Sequence, residues 1–333
     1  MRRIGGTIAI AAGTFALACA ASDSTGVDRP PARTPTTPTR PTDSSTATSP
    51  RGQIAFVGRS GQIMLMNSDG TGVKALPTGP GSDPAWSPDG TRLAFSGDSI
   101  VGIFVINADG TGLVRITHDG VQPTWSPDGG RIAFVGFQSL SSDTTDDPSP
   151  TVPRIAVVNA DGSGFAWLSD GTDDESPAWS PDGKQIAFVR SFNDEITPSG
   201  IYVLAVAAPS VVALRSFLPK GMLCAQAAPA WSPDGKSLLF FTVCPNAPAS
   251  MSGPYGFAIG NADGSGSMTP ILSDVPETYY SRPTWSPDGK WIAFASHDPE
   301  DFEGIYSTIY VIGAAGSKAT AIGAGTKPAW KPR

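Results

Sequence analysis

Histidine is nearly absent: the 333 residues include two, His118 and His297. Cysteine is scarce too, at Cys19, Cys224 and Cys244. A metal centre built on imidazole or thiolate would therefore be short of ligands. No Gly-x-Ser-x-Gly occurs, so the strained turn that presents a nucleophilic serine is not predicted. Charged residues are 16% of the chain, with 23 Lys and Arg against 30 Asp and Glu and a net charge of −7. With no basic cluster, nucleic acid is not an expected partner, because phosphate neutralisation dominates that affinity. These gaps argue against an enzyme. No cofactor is expected, and a Ca²⁺ site among loop carboxylates is the alternative.

Long hydrophobic runs are also missing. The apolar stretch Ile4 to Ala18 falls short of the ~20 residues that span a bilayer. It follows Arg2 and Arg3 and ends in Phe15-Ala16-Leu17-Ala18-Cys19. This resembles a bacterial lipoprotein signal, which implies a signal peptide over 1–18 and a lipid on Cys19. Ordinary secretion, with cleavage after Ala18 or Ala20, is the alternative, and either predicts export. Residues 19–50 are rich in Pro, Thr and Ser and have almost no large apolar residue, so they read as a disordered tether. Membrane contact is then expected through the anchor only. Cys224 and Cys244 remain as a pair in an oxidising compartment, which predicts a disulfide; two free thiols are the alternative.

Glycine and proline, by contrast, are plentiful, at 38 and 32. They are organised by repetition. Pro-Ala-Trp-Ser-Pro-Asp-Gly at 84–90 recurs, with Ala or Thr in second place, at 123–129, 177–183, 229–235 and 283–289, and a clipped Pro-Ala-Trp closes the chain at 328–330. A short apolar strand such as Ile132-Ala133-Phe134 follows each full copy. A β-branched strand such as Ile103–Ile106 comes next, then a second turn of the type Asn107-Ala108-Asp109-Gly110, then a fourth strand. Pro, Asp and Gly suit a tight hairpin turn, and Asn-x-Asp-Gly suits another. The latter looks like the opening of a calcium loop, but the distal Glu of that signature is missing.

The chain begins with the second, third and fourth strands of a module, from Ile54-Ala55-Phe56, and ends on a first strand at about 327–331. Pairing the two ends predicts an all-β, six-bladed β-propeller over 51–333, its ring closed by the C-terminal strand. The repeated Trp86, Trp125, Trp179, Trp231, Trp285 and Trp330 are expected between blades; Trp167 and Trp291 fall outside that register. The pattern PxWSPDGxxIAF with N-x-DG-[ST]-G resembles the TolB-type, WD40-like propeller repeat over about 51–332. That resemblance implies an envelope or periplasmic protein that works through protein contacts. The separate domain that such proteins carry before the propeller is replaced here by the tether.

Function is expected on the face where connections vary in length. Acids gather there: Asp143, Asp146, Asp147, Asp173, Asp174, Glu175, Asp194, Glu195, Asp298, Glu300, Asp301 and Glu303, with Lys220 and Arg282 as the clearest opposing bases. This predicts a negative face that receives a basic protein surface or a divalent cation; simple solubility is the bland alternative. The expectation is an exported, lipid-anchored, monomeric scaffold that binds an envelope protein. The alternatives are a metal-dependent hydrolase or lyase on a propeller, or a small-ligand sensor using the central channel.

Overall fold

Each Ser-Pro-Asp-Gly segment is a turn held by its own side chains. In the first copy Gly90, at φ +65°, donates its N–H to the Ser87 carbonyl at 2.8 Å. The Ser87 hydroxyl donates to Asp89 Oδ1 at 2.6 Å and accepts the Arg92 N–H at 2.9 Å. Ser126, Ser180, Ser232 and Ser286 accept the equivalent N–H in the other copies. In the second turn Asn67 Nδ2 donates to Thr71 Oγ1 at 3.0 Å, and Asp69 Oδ1 accepts the Thr71 N–H at 2.9 Å. The carboxylate thus closes a hairpin, as the local chemistry predicts.

The computed structural model describes residues 50–139, 151–171, 173–192, 199–207, 211–213, 225–243, 255–266, 268–271, 275, 282–296, 307–316 and 318–332, all within the unit Thr48–Arg333. Cys19, Cys224, Cys244, Asp143, Asp146, Asp147, Asp194, Glu195, Asp298, Glu300, Asp301 and Glu303 lie outside them. The described residues contain strands and no helix. β1 (Gln53–Val57), β2 (Gln62–Asn67), β3 (Lys74–Trp86), β4 (Arg92–Gly97), β5 (Ile103–Asn107) and β6 (Val114–Arg115) lie side by side. Four-stranded sheets follow: β7 (Val121–Trp125), β8 (Arg131–Ser139), β9 (Thr151–Asn159) and β10 (Ala166–Trp167); then β11 (Asp174–Trp179), β12 (Gln185–Arg190), β13 (Gly200–Ala205) and β14 (Val211–Ala213). The next is β15 (Ala225–Trp231), β16 (Ser237–Val243), β17 (Tyr255–Asn261) and β18 (Thr269–Ile271). The last is β19 (Thr284–Trp285), β20 (Trp291–Ser296), β21 (Thr308–Gly313) and β22 (Thr320–Ala324).

The final strand, β23 (Thr326–Trp330), returns to the opening sheet, where Trp330 and Ala329 stand opposite Ile54 and Ala55. β3 serves two modules. Its Lys74 and Ala75 pair with β2, whereas Ala85 and Trp86 pair with β4. First strands also pack against first strands: β3 on β7, β7 on β11, β11 on β15, β15 on β19, β19 on β23 and β23 on β3.

Both faces of the modules are apolar, and they differ in size. Ile132 and Phe134 pack with Trp125 against the preceding module, while Ala133 between them faces the following one. The same split separates Leu93 and Phe95 from Ala94, and Ile186 and Phe188 from Ala187. Period-two alternation therefore gives each sheet a bulky face and a recessed face that fits the neighbour's bulk. Only one apolar face per sheet is expected from the alternation of Trp with Ile and Phe. The other is carried by the second-strand alanine together with β-branched residues of the third strand, such as Ile155 and Val157 beside Ala133. Phe95, Phe134, Phe188, Phe240 and Phe294 are fully buried, each stabilising by about 1.5–3 kcal/mol. The last module packs on the first through Ala293, Ile309 and Val311 against Ile54, Phe56 and Trp330.

Indole N–H groups add directional ties between modules. Trp86 donates to the Ala329 carbonyl, Trp125 to Ala85, Trp231 to Ala178 and Trp285 to Ala230, at 3.0–3.2 Å. Each acceptor is the residue before the preceding module's tryptophan. For Trp179 that residue is Thr124, and its indole N–H is buried with no partner among the described residues. Trp167 lies outside this series, edge-on to Phe165 at 5.1 Å; Trp291 packs on the cluster between last and first modules.

Candidate functional site

The proline of Pro-x-Trp removes a donor, so it belongs at a sheet edge or a bulge. Here the first strands lie where modules meet, and five of the six described ones, all but β19, are bulged. Register shifts fall at Ser82/Ala85, Val121/Thr124, Glu175/Ala178, Ala227/Ala230 and Ala55/Val57. The residue before each of these prolines adopts a left-handed backbone: Asp83 at φ 51°, Gln122 at 59°, Ser176 at 58°, Ala228 at 52° and Lys327 at 49°. For a non-glycine residue this conformation costs of order 1–3 kcal/mol, and such strain concentrates at functional positions. The equivalent residue in the last module is Arg282.

These residues meet. Arg282 Nη2 donates to Gln122 Oε1 at 2.8 Å, and the same oxygen accepts the Ser176 N–H at 2.7 Å. Three modules are thereby linked through one side-chain oxygen. Lys327 Nζ lies 3.1 Å from Asp83 Oδ2 and donates to Ser82 Oγ. The Gln122 N–H is itself held by Ser96 Oγ at 2.9 Å. Asp98, Asp173 and Glu175 complete the group, giving Asp83 and these three carboxylates against two bases.

The titration behaviour follows from that crowding. Burial pushes the Asp83 carboxyl up, but Lys327 and Arg282 outweigh it and leave its pKa below the ordinary value. Burial pulls the Arg282 guanidinium down, opposed by Asp83 and Glu175. Glu175 is accessible to solvent, yet protein surrounds it enough that desolvation raises its pKa, with Asp173 and Asp83 adding repulsion against the pull of Arg282. Asp173 is raised by burial and by Asp174, and Asp98 by burial and Asp83, with Lys327 opposing.

Of the acids expected on a partner-binding face, three lie among the described residues, and they separate. Asp173 is half-buried and Glu175 exposed. The Asp174 carboxylate is fully buried and bidentate on Arg190, with Nε to Oδ1 at 2.6 Å and Nη2 to Oδ2 at 2.9 Å. The Arg190 guanidinium also lies 5.2 Å from the Tyr202 ring centre. Asp174 therefore fixes the strand next to the site and offers no free acceptor to a partner. Asp83, Gln122 and Lys327 were not anticipated. Their signal is a column: three residues before each repeated tryptophan, the otherwise fixed motif varies through Asp83, Gln122, Ser176, Ala228, Arg282 and Lys327. Among the described residues no group of three His, Cys, Asp or Glu side chains is placed to hold a metal ion.

No family model matches the chain. An uncharacterised protein of Agrobacterium fabrum is 33% identical over 116 residues, which is 33% of this chain and 39% of that protein, so the match spans well under half of the relative. Among solved structures, TolB from Acinetobacter baumannii superposes with a TM-score of 0.65 at 22% identity, over 85% of this chain and 67% of that one. A chain of a nidogen/laminin complex gives 0.61 at 13% identity, over 84% and 98%. An oligogalacturonate lyase in complex with manganese gives 0.53 at 12%, over 79% and 70%. At these identities the shared property is the fold: the chain is a TolB-like, all-β propeller.

Proposed function

We propose that the protein is an exported, lipid-anchored binding scaffold whose six modules close into a ring, and that it holds a basic surface of an envelope protein at the mouth formed by its first strands. Closure is supported by the pairing of β23 with β1 and by the packing of β23 on both β19 and β3. Binding is supported by the site's composition. Among the described residues its groups are carboxylates, an amide, the Ser82 hydroxyl and two bases tied to one another, and Lys327 is held by both Ser82 and the Asp83 carboxylate. An envelope location is supported by the likeness to TolB and by the signal-like N-terminus ending at Cys19.

The observation that carries this reading is the group Asp83, Asp98, Asp173 and Glu175 set against the bases Arg282 and Lys327, with Asp83 and Lys327 themselves on strained backbone. Carboxylates with raised pKa values are held at a cost in stability, and a cationic partner would relieve it. Capture from membranes with the full chain, compared with Asp173→Asn/Glu175→Gln, tests it. The double variant is expected to fold and to lose the partner, with wild-type capture weakening as salt rises. Equal capture by both proteins would count against the acidic mouth. Mass analysis of the mature N-terminus tests the lipid on Cys19.

A further inference from the structure

The modules cover their tryptophans differently. The Arg92 guanidinium lies 4.7 Å from the ring centre of Trp125, and Arg131 lies 5.1 Å from that of Trp179. Lys331 Nζ lies 5.0 Å from the ring centre of Trp86. These indoles are buried, at 6% or 7% exposure. Arg92 and Arg131 each open the second strand of the preceding module. At Trp231 the corresponding residue is Gln185, which is exposed and shorter, and Trp231 is only half-buried. An open groove of ≈ 630 Å³ lies there, between β12–β14 and β15–β17. Val203, Ala205 and Val212 supply apolar wall beside the indole, and Gln185, Lys236, Asn261 and Asp263 supply a polar rim.

The structure assigns this groove, we propose, as a carbohydrate subsite in which a neutral pyranose ring stacks on the free face of Trp231. The chemistry of the rim selects that class. Gln185 offers both a donor and an acceptor, Lys236 donates, and Asp263 accepts, which suits hydroxyl groups that do both. Ser265 donates to Asp263 and lowers its pKa, so the rim carries one positive and one negative charge and is neutral overall. A charged ligand of either sign would meet one like charge, Lys236 or Asp263. A purely apolar ligand would leave four polar groups unmatched. A sugar ring brings axial C–H groups to an aromatic face and hydroxyls to its edge, and a shallow groove accommodates it. The indole N–H is bonded to the Ala178 carbonyl at 3.0 Å, which fixes the plane of the platform. This site is separate from the mouth of the first strands.

The test uses Gln185→Arg in the full chain, which restores at Trp231 the cover that Arg92 and Arg131 provide at their tryptophans. It avoids cutting Trp231 itself, whose packing the fold needs. A panel of neutral oligosaccharides (chitotriose, cellotriose, maltotriose and their branched relatives) is titrated at millimolar concentration while the Trp231 indole resonance is followed. At least one saccharide is expected to shift that resonance saturably in the wild type. Gln185→Arg is expected to weaken it by about tenfold or more, equivalent to removing roughly one stacking contact, with a melting temperature unchanged or higher. Silence across the panel overturns the proposal. So does a sugar response that survives in Gln185→Arg, or displacement of the bound saccharide by none of its congeners while a Pro- or Arg-rich peptide takes the groove instead.

Discussion

Arg282 and Gln122, 160 positions apart in sequence, are joined by a 2.8 Å hydrogen bond from guanidinium to side-chain oxygen. The same oxygen takes the Ser176 N–H, so two donors from two other modules depend on a single acceptor. A charged donor left without its acceptor loses more than a neutral one. Gln122→Ala is therefore expected to cost about 1–3 kcal/mol, read as a lower urea midpoint at unchanged slope.

Asp83 has a pKa held below its ordinary value of 3.8. A depressed folded-state pKa stabilises the fold above the unfolded value, and that contribution is lost as pH falls through the folded one. Wild type is thus expected to exceed Asp83→Asn in stability at pH 7, with the gap closing as the solution is acidified below 3.8. Urea unfolding at a series of pH values checks it, and a constant gap would rule out the ion pair with Lys327 as its source.

Glu175 shows the opposite sign. Its folded pKa lies above 4.5, so the ionised form is disfavoured in the fold and the penalty disappears once both states are protonated. Glu175→Gln should raise the melting temperature at pH 7 and leave it unchanged at pH 3. If the same variant also weakens partner capture, the carboxylate is retained for binding at the expense of stability.

Asp174 and its neighbours should part company in stability measurements. Asp174→Ala leaves the Arg190 guanidinium, 16% exposed, beside an emptied buried site. Breaking one side of a buried pair costs about 3–5 kcal/mol, whereas Asp173→Asn is expected to stay within ~0.5 kcal/mol of wild type. Parallel thermal and urea melts of the two variants provide the comparison.

The inter-module tryptophans offer a controlled pair. Trp125 and Trp179 both lie under an arginine, but only Trp125 has an acceptor for its indole N–H. Trp125→Phe is expected to cost about 1 kcal/mol more than Trp179→Phe, the net worth of one hydrogen bond. Equal losses would show that the Ala85 contact contributes nothing measurable.

Much of this architecture is local and was readable as text. Ser87, Asp89 and Gly90 make their turn within six residues, and Asn67 to Thr71 make theirs within five, so the letters carry the geometry. The recessed face was harder to read, because Ala94 and Ala133 look unremarkable until a neighbour's bulk is set against them. The acidic stretch 173–175 read as one patch. Strand alternation then turned Asp174 onto Arg190 and left Glu175 near Asp173, Asp83 and Arg282.

By itself the sequence determined the modules, their hairpins and which residues form the bulky faces, because turn chemistry and period-two alternation act between near neighbours. Tertiary structure alone decided that Asp83, Gln122, Arg282 and Lys327 share one site. Each lies at the same place in a different module, and only the convergence of the first strands brings charges from distant repeats within bonding distance. It also decided that Trp231 stands half-buried beside a groove while Trp125 and Trp179 lie under arginines. That fact depends on which residue of one sheet lies over the indole of the next.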